Sequence, residues 1–318
     1  MSDAVAGYAF DPDLVEMAAS IERSDISDLA VTRAQMAALY AMVVDQLDTG
    51  GVEIEDRRIP GRHPGDEVPV RIYRGRDVTD VSGGILSIHG GGFVTGDLDA
   101  DLGLAVALAT QVGAVVVSVD YRLAPEHPFP AGLDDCYAAL VWFHAHAAEL
   151  GVDPDRLAVY GNSAGGGLAA ATALVARDEG GPPLCFQFLG IPELDDRLDT
   201  PSMRAFDDTP MWHRRNAELS WQYYLGDRTD DVSPYAAPAR ATDLAGLPRT
   251  YLSTMEFDPL RDEGLRYGMA LLEAGVAVEM HQFAGTFHGS LMAPGAWSSR
   301  RQLAETVDVL RHALAGPG

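Results

Sequence analysis

The 318-residue chain contains no lysine: all 23 of its basic residues are arginine. That absence removes Schiff-base chemistry, the phosphate-gripping lysine of a P-loop, and the Ser-x-x-Lys mechanism of serine β-lactamase-type acyl transferases. Positive charge is scarce as well. Against 47 acidic residues the formal net charge is −24, which argues against a nucleic-acid or anionic-membrane partner, since both select basic patches. Cysteine is almost missing. Cys136 and Cys185 fall in a predicted helix and a predicted strand and fit best a reduced, cytoplasmic compartment. The first ten residues, Met1 to Phe10, carry neither a basic n-region nor a long apolar core, so no signal peptide or membrane anchor is expected. His-Glu-x-x-His, a cysteine pair and an acidic calcium loop do not occur, so no metal is expected.

What is present is apolar sequence, 47 % of the chain, spread evenly enough for one large core with an appendage rather than two equal domains. Two helical segments, Pro12 to Ala19 and Thr32 to Leu47, precede any strand and read as a separate helical layer. Strands are then expected at Val52 to Ile59, Val68 to Tyr73, Ile85 to Ile88 and Val115 to Val119, the last two as doubly buried runs. Helices are expected over Leu102 to Val112, Asp134 to Leu150, Ala164 to Arg177 and Asp262 to Ala274. This alternation predicts an α/β fold: a mostly parallel sheet covered on both faces, made mixed by the opening antiparallel pair. Between the strand Leu184 to Leu189 and the next at Thr250 lies an excursion, Pro192 to Leu247, longer than a usual connection and expected to carry a helix from Thr209 to Tyr224. Its Met211, Trp212, Trp221 and Tyr223 either line a pocket or merely pack the insertion onto the body.

The chemistry begins at Leu157-Ala-Val-Tyr-Gly-Asn-Ser-Ala-Gly165, a short strand running through Gly-x-Ser-x-Gly into an alanine-rich helix. This is the pattern of a nucleophile elbow, with Ser163 on a turn so tight that Gly161 and Gly165 are needed beside it. Upstream, the run Gly84 to Ile88 ends in His89-Gly90-Gly91-Gly92. Three glycines let backbone N–H groups approach a substrate oxygen closely, and such donors are worth roughly 3 to 4 kcal/mol each to acyl transfer. A dinucleotide-binding loop fails on spacing, because Thr95 stands where the third glycine belongs.

A nucleophilic serine needs a base, and the base an orienting carboxylate, in the order Ser, acid, His along this type of chain. The run Thr250 to Met255 reads as a strand stopped by Pro259, which leaves Asp258 in the following turn. Val276 to Phe283 alternates as the next strand, and His288 lies beyond it. Both therefore fall at the C-terminal edge of a parallel sheet, with Ser163 and the glycines. Asp262 and Glu263 read instead as the first turn of a helix, where carboxylates offset its dipole. Among the other histidines, His144 and His146 diverge by about 200° around a helix axis. His281 lies inside a strand, and His63, His213 and His312 are expected on the solvated surface.

These motifs, with Tyr121-Arg-Leu-Ala-Pro-Glu-His-Pro-Phe-Pro-Ala131, Asp258-Pro-Leu-Arg-Asp-Glu263 and Phe287-His288, resemble the hormone-sensitive-lipase-like branch of the α/β-hydrolases over most of residues 84 to 292. Within it, Ile191-Pro-Glu-Leu-Asp-Asp-Arg197, Trp221 to Gly226 and Gly285 to Ser290 look most like bacterial acetyl esterases of the heroin esterase type. The resemblance implies an α/β-hydrolase fold with a catalytic triad of Ser163, Asp258 and His288 and an oxyanion hole from the N–H groups of Gly91, Gly92 and Ala164. It also implies cap helices over residues 1–50, a catalytic domain over 51–318 and a cap insertion around 192–225. It further implies hydrolysis of short-chain carboxylic esters without a cofactor. A small-molecule ester is the expected partner, and a homodimer is left open. One departure is Asn162, where the family usually has Asp, which bears on local hydrogen bonding and pH behaviour. The rival readings are a ligand-binding protein on the same fold, disfavoured because receptors resembling this family lack the histidine that His288 supplies here, and an amidase or lactonase.

Overall fold

Valine-rich runs with no polar face make the centre of the sheet. The computed structural model of the protein describes residues 7–21, 25–78, 81–228 and 230–315. Within them the strands are β1 (Val52–Pro60), β2 (Glu67–Gly75), β3 (Ser82–Ile88), β4 (Val115–Val119), β5 (Val152–Asn162), β6 (Phe186–Gly190), β7 (Arg249–Phe257) and β8 (Val278–Phe287). They form one sheet in the order β1-β2-β4-β3-β5-β6-β7-β8. β1 pairs antiparallel with β2 and β2 antiparallel with β4, while every pairing from β4 through to β8 is parallel. β3 and β4 are buried at every residue, as strands covered on both faces must be.

Pleating sends alternate side chains to opposite faces. Leu86, Ile88, Val117, Val119 and Val159 meet α4 (Ala131–Ala145), α5 (Ala164–Asp178) and α8 (Arg261–Glu273) on one side. Ile85, Val116, Ala158 and Phe188 meet α3 (Leu102–Ala107) and α9 (Trp297–Ala313) on the other. The fold class expected from the alternation is the one observed. The chain ahead of β1 holds a 3₁₀ turn, Pro12–Leu14, then α1 (Val15–Ser20) and α2 (Leu29–Gln46). Residues 1–6 and 22–24 of the expected 1–50 unit, and so much of the stretch read for a leader, lie outside the described residues.

Several expectations shift. The helix placed at Thr209 to Tyr224 is α7 (Arg214–Leu225), preceded by the short α6 (Pro201–Ala205). Residues 209–213 form a turn instead, with Thr209 Oγ1 donating to Trp212 O at 2.7 Å. The helix expected over Leu102 to Val112 changes to π geometry at Leu108–Val112. α4 starts and stops earlier than Asp134 to Leu150, so His146 lies just past its end, its Nδ1 2.8 Å from Trp142 O. β8 continues beyond Phe283 to Phe287. His213 is not on the solvated surface: it is 8 % exposed, packed in at the start of α7.

Candidate active site

Because β3, β5, β6, β7 and β8 all run the same way, the first residue after each lies on one edge of the sheet. Those residues are His89, Ser163, Ile191, Asp258 and His288. Sequence and topology thus bring the expected side chains together. Ser163 Oγ lies 2.9 Å from His288 Nε2, and His288 Nδ1 lies 2.8 Å from Asp258 Oδ2. An ionised carboxylate only accepts, so it fixes the proton on Nδ1 and leaves the Nε2 lone pair facing the serine hydroxyl. Asp258 is itself held, its Oδ1 accepting from the Leu260 amide at 2.9 Å. All three side chains are buried.

The serine sits in a conformation that L-residues avoid, φ 57° and ψ −124°, a strain of about 1–3 kcal/mol that persists only where the surroundings dictate it. They do so through the Ser163 amide, which donates to Gly190 O at 2.8 Å, and the Ser163 carbonyl, which accepts from Gly167 N and Glu193 N, each at 3.0 Å. The flanking glycines are forced by space. A Cβ on Gly161 would lie 2.1 Å from Gly165 O, and one on Gly165 would lie 2.1 Å from Ile88 O. Asn162 turns away from the triad, its Nδ2 donating to Tyr160 OH at 2.5 Å.

The loop after β3 is clamped one carbonyl at a time. Gly90 O is 2.8 Å from His89 Nδ1. Gly91 O accepts from Val94 N, Thr95 N and Thr95 Oγ1, and Gly92 O accepts from Ser220 Oγ of α7 at 3.0 Å. In a trans peptide the N–H points opposite to the C=O. Fixing the carbonyls of Gly90 and Gly91 therefore aims the amides of Gly91 and Gly92 to the other side. Among the described residues nothing accepts from these two amides or from that of Ala164 at the start of α5. His89 keeps its role because it is neutral: burial pushes its imidazole down to about 4, while it stacks on Tyr121 at 4.2 Å.

Of the four bulky residues in the excursion, two reach the site. The Trp212 ring lies 5.8 Å from that of His288 and so close to Gly92 that a Cβ there would be 2.6 Å from Trp212 Cη2. Met211 packs over Gly289. Trp221 instead supports the loop from below, against Phe93 at 5.5 Å, and Tyr223 packs at the edge of the apolar cluster that holds Trp212 and Val94. Sequence reasoning missed Glu193, and it placed Glu263 in a helix first turn without its burial. Glu193 and Glu263 are fully buried, and burial pushes both upward, Glu193 to about 8. Glu263 Oε1 accepts from the amides of Leu194 and Asp195, so its place in the first turn of α8 serves this contact as well as the helix dipole. Among the described residues no group of three or more His, Cys, Asp or Glu side chains is placed to hold a metal ion. No helix there is long and apolar enough to cross a membrane.

Comparison with known proteins gives the same picture. A family model described as alpha/beta hydrolase fold matches residues 85–292. The chain is 44 % identical over 253 residues to the carboxylesterase NlhH of Mycobacterium tuberculosis, covering 77 % of this chain and 79 % of that one. It is 34 % identical over 258 residues to an ethyl acetate hydrolase of Pseudomonas putida, covering 80 % and 79 %. Among solved structures it superposes on a bacterial heroin esterase with a TM-score of 0.95 at 50 % identity, over 97 % of this chain and 99 % of the other.

Proposed function

This chain belongs to the hormone-sensitive-lipase-like branch of the α/β-hydrolases and is a carboxylesterase, and we propose that it cleaves short-acyl, acetyl-type esters through a Ser163-His288-Asp258 acyl-enzyme mechanism. The observation that carries the reading is the unbroken line of contacts from Ser163 Oγ through both nitrogens of His288 to Asp258. His288 Nε2 takes the hydroxyl proton as Oγ adds to the ester carbonyl carbon. The carbonyl oxygen becomes negative and settles against the amides of Gly91, Gly92 and Ala164. Collapse of this intermediate breaks the bond to the alcohol, which leaves with the proton from His288. Water then attacks the acyl-serine, giving a proton to His288, and collapse of the second intermediate breaks the bond to Ser163 Oγ, which takes that proton back as the carboxylic acid leaves.

The acetyl preference is supported by Trp212 and Met211, which crowd the space over Gly92 and Gly289, and by the relative named as an ethyl acetate hydrolase. Residues 1–50 and the 192–225 insertion act as the cap, with 51–318 otherwise the catalytic domain. In support, Arg33 of α2 donates to the carbonyls of Val94 and Ala124 and forms a two-pronged pair with Glu126. The Ile26 amide also reaches Asn216 Oδ1 of α7 at 3.4 Å. Unpaired Cys136 and Cys185 suit a reducing, cytoplasmic setting. The test is labelling with a fluorophosphonate followed by peptide mass spectrometry. One adduct, on Ser163, is expected; a protein that stays unlabelled is a binding protein instead.

A further inference from the structure

The excursion leaves β6 through Ile191-Pro-Glu-Leu-Asp195, and its Glu193 is completely buried directly behind the elbow. The Glu193 amide donates to Ser163 O at 3.0 Å, and the absent side chain of Gly167 makes room for its carbonyl, 2.1 Å from where a Cβ would stand. The carboxyl itself is unused. Among the described residues neither oxygen makes a well-aligned hydrogen bond, and the hydroxyl within its reach is that of Ser220. The groups facing it are Ser220 and Tyr224 on α7, Asp258 after β7 and Glu263 on α8, none of them a cation. A buried carboxylate without a counter-charge is strongly disfavoured, and the Asp258 charge disfavours it further, so this group is a neutral acid with an O–H to give.

Beside it, Ser220 Oγ gives its one hydrogen to Gly92 O and has lone pairs to spare. We propose that Glu193 is a positioning residue of the oxyanion loop: as the neutral acid it donates to Ser220, whose own hydrogen stays on the Gly92 carbonyl, and as the anion it takes that hydrogen and releases the loop. The proton inventory is simple. In the acid state Glu193 O–H points to Ser220 Oγ and Ser220 O–H to Gly92 O. After one proton leaves to solvent, Ser220 O–H turns to the carboxylate and Gly92 O loses its tie to α7. Burial pushes the Glu193 carboxyl up to about 8, with the Ser220 hydroxyl pulling the other way and the Asp258 charge adding to the rise, which places the switch at mildly alkaline pH.

This inference rests on the acyl-enzyme reading above. It is tested by measuring kcat and KM on p-nitrophenyl acetate from pH 6 to 9.5 for the wild type, Glu193→Gln and Ser220→Ala. Circular dichroism at each pH and recovery on return to pH 7 would accompany the kinetics. In the wild type kcat is expected to fall about tenfold through one ionisation near pH 8 while KM moves less than about twofold, the signature of a weakened transition-state contact. Glu193→Gln keeps an N–H donor for Ser220 but cannot ionise, so it should stay within about threefold of wild type at pH 7 and lose the alkaline step. Ser220→Ala should already be about tenfold slower at pH 7 and also lack the step, giving a readout if the first variant does not fold. A wild type with no such step, or the same step persisting in either variant, overturns the proposal. Fluorophosphonate labelling of Ser163 in each protein separates this from a failure of the acyl-enzyme reading, which would leave the wild type unlabelled.

Discussion

The amide of Ser163 is bonded to the carbonyl of Gly190 at 2.8 Å, tying the strained end of β5 to the end of β6. That bond requires the two strand ends to touch, and a Cβ on Gly190 would fall 1.8 Å from Asn162 Oδ1. The elbow is therefore a property of two strands and the start of α5 together, and Gly165 sits in it directly under the backbone carbonyls of Ile88 and His89. Gly165→Ala is expected to yield insoluble or inactive protein, because a methyl group 2.1 Å from a backbone oxygen forces α5 off the end of β3. Circular dichroism and solubility check this. A soluble variant with normal turnover would mean the elbow is looser than its geometry.

Replacing the nucleophile separates chemistry from folding. Ser163→Ala keeps a side chain of the same shape on the strained backbone and should lose several orders of magnitude in kcat with its melting temperature little changed. His288→Ala should be nearly as inactive, since the residues act as a unit. Asp258→Asn should cost about 10⁴-fold, by presenting an N–H where His288 Nδ1 needs an acceptor. Steady-state kinetics with an active-site titration measures this, and a tenth of wild-type activity in the serine variant would sink the assignment.

How much of this was legible in the sequence depends on what each residue does. That Ser163, Asp258, His288 and the glycines meet was readable because each sits where a strand is expected to end, and a parallel sheet puts those ends on one edge. Gly161 and Gly165 announce a close approach by lacking a side chain. Glu193, Glu263 and His213 gave no such signal. A polar residue with no motif around it reads as solvated or, like Glu263, as part of a helix first turn, yet all three are buried in the folded chain. Trp212 was visible as a candidate, but its contact with Gly92 depends on the turn at 209–213, where Pro210 and the bond from Thr209 Oγ1 to Trp212 O stand in place of the expected first turn of helix. The end of β8 was read short because the alternation ends at Phe283, whereas the strand runs on to Phe287 and absorbs Gly285 with a positive φ of 71°.

His89 should make the protein acid-labile in a defined window. Its imidazole titrates near 4 in the folded state and near 6.5 in the unfolded chain, so below pH 6.5 the unfolded state binds the extra proton. The stabilisation is complete above pH 6.5 and is lost as pH falls to about 4, a total of about 3 kcal/mol. His89→Asn should be less stable than wild type at pH 7, through the lost stack on Tyr121, and the gap should narrow towards pH 4. Urea midpoints at pH 7, 5.5 and 4.5 measure it; a gap independent of pH would show that His89 is protonated in the folded protein.

The proposed preference for short acyl groups turns on Trp212. Each additional buried CH₂ gains about 0.8 kcal/mol, roughly fourfold in specificity constant, while there is room. The ring over Gly92 and His288 ends that room early. Across p-nitrophenyl esters, kcat/KM is therefore expected to peak between acetyl and about hexanoyl and then fall steeply, since an overlong chain must displace a packed aromatic residue. Trp212→Ala should move the maximum to longer chains while lowering the rate on acetate, because it also uncovers the loop that Gly92 belongs to. A wild-type maximum at dodecanoyl, or a jump in rate above the solubility limit of the substrate, would mean that the site opens into a lipid-binding groove and that Trp212 does not close it.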